Sequence, residues 1–217
     1  MWPYIVAAVL VLFLITYIVF AKQINEFFVI LSGKKRIQRK LYRSCKANDY
    51  QIINDLYVPI DPTTYRYIDT LIFGNKYIYL ITEIVDIGHI IVSDDDRKWR
   101  VINEKKINDK LKIIDNPFLY NNSVISKLIK VVPGLEINDF KNMAAVTKLS
   151  DFETSATKKN EYIVSEKDVI KTIIQIEKNS NEDIFDSYDI ERYVAAFFRY
   201  GQEAEKVIKE QKGRTKQ

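Results

Sequence analysis

The chain has 217 residues, 47% of them hydrophobic and 29% charged, with a formal net charge of +4 and one cysteine. A single thiol excludes an intrachain disulfide framework, and so modest a charge excludes a protein that is basic over its whole surface. The length behind the N-terminal segment suits one domain of about 170 residues with a sizeable core.

The first 21 residues stand apart. From Trp2 to Ala21 there is no charged side chain. At about 1.5 Å per helical residue the run spans roughly 30 Å, the thickness of a bilayer's hydrocarbon core. Pro3 falls in the first helical turn, where its missing N–H costs nothing, and Trp2, Tyr4 and Tyr17 lie near the two ends, where aromatic rings favour the membrane interface. A cleaved signal peptide would carry Lys or Arg ahead of the apolar run, and a buried helix would show a polar face; this segment has neither. Residues 1–21 are therefore expected to form a transmembrane anchor.

Residues 22–46 carry eight basic groups and the lone acid Glu26, so the rest of the chain is about −3. Basic residues flanking a span stay in the cytoplasm. The expected location is the cell membrane, single-pass, with the N-terminus outside and residues 47–217 forming a cytoplasmic domain. Lys34, Lys35, Arg36, Arg39, Lys40 and Arg43 are the candidate contacts to anionic lipid headgroups, each worth on the order of 1 kcal/mol near a membrane surface. Phosphates of a nucleic acid are the alternative for the same residues.

Residues 24–46 read as a helix with a break at Ser32-Gly33, and Ile37 and Leu41 share one face. Asn48-Asp49 marks a turn. Tyr50–Val58 reads as a strand closed by Pro59 and an Asp61-Pro62 turn. Tyr65–Phe73 and Tyr77–Val85 read as a hairpin about Gly74-Asn75, and His89–Val92 with Lys98–Ile102 as another about Asp94-Asp95-Asp96. Asn116-Pro117 caps a helix running to Val132, stopped by Pro133-Gly134. Short strands follow at Asn142–Leu149 and Glu161–Val164. A helix opens with Ser165-x-x-Asp168, and a last amphipathic helix runs from Asp189 to about Gln211. Ile125, Leu128 and Ile129 on one helix, and Tyr193, Val194, Phe197 and Phe198 on the other, form stripes expected to cover the sheet. The fold class is α/β, a mixed β-sheet flanked by helices.

Motifs with established chemistry are scarce. No Gly-rich phosphate loop, nucleophile elbow or Cys-x-x-Cys pair occurs. His89, the one histidine, has no Cys or His neighbour at metal spacing and reads as structural. The three aspartates at 94–96 lack the glycine and glutamate of a calcium loop and read as a solvated turn.

The ordered set IINDL at 52–56, IDTLIFGNKYIYLITEIV at 68–85, Gly88, Trp99 and NPFLYNN at 116–122 resembles the nuclease-related domain (NERD) family, grouped with the restriction-endonuclease-like nucleases. The resemblance covers Gly33 to about Gln211. It implies a restriction-endonuclease-like sheet and metal-assisted phosphodiester cleavage, in which carboxylates hold a divalent cation and a lysine serves the attacking water. Family members set an Asp on one strand opposite a Glu-x-Lys on the next. Asp69 fits the first position. Without a gap, Thr82 and Ile84 stand at the Glu and Lys positions; with one inserted residue Glu83 fits, and Val85 stands where the lysine belongs. The family's Gly-Glu upstream becomes Gly33-Lys34, and the polar residue usual in its Asn-Pro helix becomes Tyr120.

The resulting expectation is a membrane-anchored, NERD-like cytoplasmic domain that has lost nuclease activity, needs no cofactor and acts as a binding or scaffold module. Its partners would be membrane lipids and a protein that the sequence does not name. The alternative is a divergent nuclease acting on DNA or RNA, with Asp69 and Glu83 as catalytic, metal-binding carboxylates for Mg²⁺ or Mn²⁺.

Overall fold

A computed structural model describes residues 2–214 apart from 62–63, 93–96, 104–109, 155–158 and 183. The side chains of 22–31, 110, 154, 211–214 and much of 2–20 also lie outside the described set. Asp94, Asp95 and Asp96 and the Pro62 turn position are among the residues not described.

The first helix, α1, runs Trp2–Lys46 and is broken at Gly33, whose φ of 38° and ψ of −130° are not helical. Glycine takes such a conformation without Cβ strain. Three antiparallel strands follow, β1 (Gln51–Pro59), β2 (Tyr65–Phe73) and β3 (Ile78–Ile84). The β2–β3 turn closes with the Gly74 N–H donating to the Tyr77 carbonyl at 2.9 Å. Next come β4 (His89–Val92), β5 (Lys98–Asn103) and β6 (Lys110–Asp115). Helix α2 (Pro117–Val131) starts where Asn116 accepts the Phe118 N–H through its side chain, with Pro117 at the first helical position. The remaining elements are β7 (Phe140–Val146), β8 (Asp151–Thr154), β9 (Glu161–Ser165), α3 (Val169–Asn179) and α4 (Ser187–Arg214).

The strands build two mixed sheets, β1-β2-β3-β7-β9 and β6-β5-β4-β8. In the larger sheet β7 runs parallel to both β3 and β9. One face is covered by Ile37, Leu41 and Cys45 of α1 and Val169 and Ile173 of α3, against Ile72, Tyr79, Ile81 and Met143. The other is covered by Val124, Ile125 and Leu128 of α2 and Tyr193 and Phe197 of α4, against Leu56, Leu71, Phe73 and Leu80. Trp99 and Phe118, edge to face at 5.3 Å between ring centroids, fill the core between the two sheets with Ile84 and Val146.

Several expectations are corrected. β6 and β8 were not expected, because Lys-Leu-Lys-Ile-Ile-Asp and Asp-Phe-Glu-Thr are short and half charged, and their pairing with β5 and β4 is what makes them strands. β7 starts at Phe140 and stops at Val146, short of Leu149. Phe198 is 53% exposed, although Phe197 beside it is fully buried, so α4 turns Phe198 away from the sheet. The expected start of α3 holds, with Asp168 at the N-cap position, where its side chain makes no capping bond. Among the described residues, no helix is long and apolar enough to cross a membrane; most side chains of the expected anchor, residues 1–21, lie outside that set, so the anchor is not among the corrected expectations.

Candidate functional site

The candidate site forms where β2 and β3 separate. Their ladder ends at Thr70 opposite Ile81. One step further on, the Asp69 side chain replaces the backbone partner, and its Oδ2 accepts the Glu83 N–H at 2.9 Å. β3 then continues beside β7, and β2 beside β1.

A slip in both strands enlarges this fork. Ile53 and Leu56, three apart, both enter the core under α2 and α4, and so do Ile68 and Leu71. Strict alternation would put such pairs on opposite faces. The alternation therefore shifts by one residue at 54–55 and at 69–70. Asp55 carries the strain, with φ at 58°, a region that Asp tolerates better than most residues. As a result Asn54, Asp55, Asp69 and Thr70 all serve the side facing α1, where Glu83 also lies.

The contacts are specific. The Lys34 ammonium is paired with Asp69 Oδ1, and it lies 5.4 Å from the Tyr67 ring centroid. Thr70 Oγ1 is 2.9 Å from Glu83 Oε1 and 2.7 Å from Asn54 Oδ1. Gln38 Nε2 donates to Asp55 Oδ1 at 3.0 Å and to the Asp69 carbonyl at 3.3 Å. Asp55 also accepts the Tyr67 hydroxyl. Glu83 is 3% exposed, and among the described residues its Oε2 has no hydrogen-bond partner. Burial pushes its carboxyl up to about 8; the Asp69 charge adds to the rise, and the Thr70 hydroxyl and Lys34 oppose it. Glu83 is thus protonated at neutral pH. The one Thr70 hydroxyl proton serves only one of its two neighbours, and a protonated Glu83 can supply the other bond.

Of the two registers, the structure puts Glu83 and not Thr82 on the Asp69 side. Thr82 points to the opposite face, where its Oγ1 bonds Asn121 of α2, itself tied to Asn142 Oδ1 at 2.7 Å. Val85, two residues after Glu83, packs with the α1-side cluster, so the position expected for a lysine is apolar. Lys76 sits at the far end of the hairpin and donates to the Ser180 carbonyl at 2.7 Å. The Tyr120 hydroxyl bridges the backbone of Tyr67, accepting its N–H at 2.7 Å and donating to its carbonyl at 3.1 Å.

These residues do not fit a divalent cation as they stand. A hard cation needs several free, charged oxygens. One Asp69 oxygen already holds an ammonium and the other holds a backbone N–H. Among the described residues no group of three or more His, Cys, Asp or Glu side chains is placed to hold a metal ion.

The six basic candidates of α1 divide by helix face. Lys34 holds Asp69. Arg36 and Lys40 both bind Glu166, at 2.9 and 2.8 Å, and the Glu166 side chain is fully buried. Arg36 also donates to Thr147 Oγ1 at 3.1 Å. Lys35, Arg39 and Arg43 are exposed on the opposite stripe, beside Tyr42. His89 lies apart from the site, its Nδ1 3.1 Å from Asp151 Oδ2, and the bond to Asp151 raises its pKa.

Sequence reasoning missed Gln38, Asp55, Thr70 and Glu166. A signal for Asp55 and Thr70 was present: Asn54-Asp55 and Asp69-Thr70 are consecutive polar pairs inside otherwise apolar strands, which strict alternation does not explain. For Gln38, the cue was Ile37, Leu41 and Cys45, an apolar stripe at helical spacing that had to face something. Glu166 carries no such mark in the sequence.

Comparison with curated proteins and with solved structures found no match. A family profile described as the nuclease-related domain matches residues 31–147, more than half of the chain. The matched stretch holds Lys34, Asp69 and Glu83, and the chain belongs to the nuclease-related domain family.

Proposed function

We propose that this protein is a membrane-anchored member of the family whose nuclease centre has been lost, and that it acts as a binding or scaffold module at the cytoplasmic face of the membrane. One observation carries the loss: the Lys34 ammonium neutralises Asp69, the carboxylate on which metal-dependent cleavage would depend. Val85 in place of a lysine points the same way. Among the described residues the fork then offers no lysine to serve an attacking water, and its Asp69 carboxylate is already paired.

Support for the anchor comes from the uncharged run Trp2–Ala21 and the basic residues that follow it. Exposed Lys35, Arg39 and Arg43 would face anionic lipid, since Lys34, Arg36 and Lys40 are already engaged within the domain. We read the fold as restriction-endonuclease-like on the strength of the mixed sheet, helices on both faces, and carboxylates at a strand fork.

A second reading, a divergent nuclease acting on DNA or RNA, has one observation in its favour: Asp69 and Glu83 do share the fork. Incubating the purified full chain with DNA and RNA in Mg²⁺ or Mn²⁺ separates the two readings. Intact substrate is expected; cleavage that requires Asp69 would favour the second. Cell fractionation with protease accessibility tests the location. The expected result is a membrane pellet whose domain is protected in intact cells, and a soluble chain or a domain cut from outside contradicts it.

A further inference from the structure

The fork lacks a free ligand set, yet it is not short of positive charge. Lys34 Nζ is paired with Asp69 Oδ1 and lies over the Tyr67 ring, while the Tyr67 hydroxyl is itself bonded to Asp55. The ammonium is therefore held by the Asp69 carboxylate and the Tyr67 ring face, whose quadrupole favours a cation, and its charge is felt at the Glu83 carboxyl, while its outer side stays open to solvent. Its position is fixed from behind. Ile37 and Leu41 on the same helix are buried, and Gln38 clamps Asp55 and the Asp69 carbonyl.

We propose that the Lys34 ammonium is a built-in substitute for a divalent cation, filling the place at the Asp69–Glu83 fork where a metal ion would otherwise bind. This inference rests on the reading that the nuclease centre is lost, and it names what replaced the metal. Bond counting supports it. A lysine Nζ lies five bonds from its Cα. A glutamate oxygen lies four bonds from its Cα, so a metal ion bound to that oxygen is the fifth step and falls where the ammonium does. Lys34→Glu therefore removes the internal cation and adds a carboxylate at the correct reach. The fork then offers that carboxylate with Asp69 and Glu83, and the Asn54 and Thr70 oxygens nearby, a set suited to Mg²⁺ or Mn²⁺.

The test uses the purified full chain in detergent and follows loss of the free Mn²⁺ paramagnetic resonance signal, with thermal unfolding measured with and without Mn²⁺. The unsubstituted chain should show no Asp69-dependent binding. Lys34→Glu should bind Mn²⁺ at least about tenfold more tightly and gain an Mn²⁺-dependent rise in Tm, and adding Asp69→Asn should abolish both. Should Lys34→Glu fail to fold, Lys34→Met vacates the same position without added charge and should gain weaker, still Asp69-dependent binding. Mn²⁺ binding by the unsubstituted chain through Asp69, or a folded Lys34 variant with no gain, overturns the proposal. Cleavage of nucleic acid by the unsubstituted chain would instead defeat the reading that the nuclease is lost, so the two failures are told apart.

Discussion

Asp69 receives the Lys34 ammonium on one carboxylate oxygen and the Glu83 backbone N–H on the other. That single side chain ties α1 to the sheet and caps the end of the β2–β3 ladder. A carboxylate satisfied in this way has a structural role that persists without catalysis. It also accounts for Asp69 being 4% exposed without being costly, since both oxygens are paired.

The protonation of Glu83 predicts a pH dependence. Its folded-state pKa lies well above the ordinary carboxylate value, at about 8. The contribution is fully present below the unfolded pKa near 4.5 and is lost as pH rises through 8, because the folded state holds a proton that the unfolded state has released. Glu83→Gln removes the titrating group with little change of shape. Denaturant unfolding of the two chains at pH 6 and pH 9 should show the variant gaining on the parent by on the order of a few kcal/mol at the higher pH. Parallel pH profiles would contradict the assignment.

Glu166 should matter more than any exposed charge on α1. Its buried carboxylate is shared by Arg36 and Lys40. Glu166→Ala leaves the half-buried Arg36 guanidinium without a counter-charge, with only the Thr147 hydroxyl beside it, and should cost roughly 3 kcal/mol. Lys35→Ala, on the exposed stripe, should stay within about 0.5 kcal/mol. Equal effects in chemical denaturation would show that Glu166 does not secure α1.

Phe197 is fully buried against Phe73, at 5.9 Å between ring centroids, while Phe198 is exposed. Phe197→Ala should cost about 3–5 kcal/mol and Phe198→Ala about 0.5 kcal/mol or less. Unfolding midpoints that fall equally for both would overturn the orientation of α4.

The break at Gly33 predicts sensitivity to a side chain there. Nothing lies within 4 Å of an added Cβ, so space is not the obstacle. The positive φ is, and Gly33→Ala should cost about 1–3 kcal/mol unless α1 straightens. Straightening would displace Lys34, and a lysine-directed label would then modify that residue faster than in the parent chain.

Much of this architecture is legible in the sequence because local signals there are strong. The Asn116-Pro117 start, the Gly74 hairpin and the apolar stripes of α2 and α4 each rest on a few neighbouring residues. The site is less legible because it depends on pairings between distant segments. Lys34 and Asp69 are 35 positions apart, and Arg36 and Glu166 are 130 apart. The resemblance marks Asp69 and Glu83 as the residues to watch. It does not tell that the basic helix folds back onto them, since a basic run after an apolar one reads first as lipid-facing. β6 and β8 escaped for the same reason: their strand character comes from neighbours in space.

If Lys34 and Asp69 form a structural pair and the nuclease centre is lost, as proposed, nucleic acid stays intact whether or not Asp69 is present. The most direct measurement is cleavage of single- and double-stranded DNA and RNA by the full chain and by its Asp69→Ala variant, side by side, in Mg²⁺ and in Mn²⁺. Both proteins should leave the substrate intact, and the variant should unfold at a lower midpoint because a buried carboxylate that holds two partners has been removed. Cleavage by the full chain that disappears in Asp69→Ala would contradict that proposal.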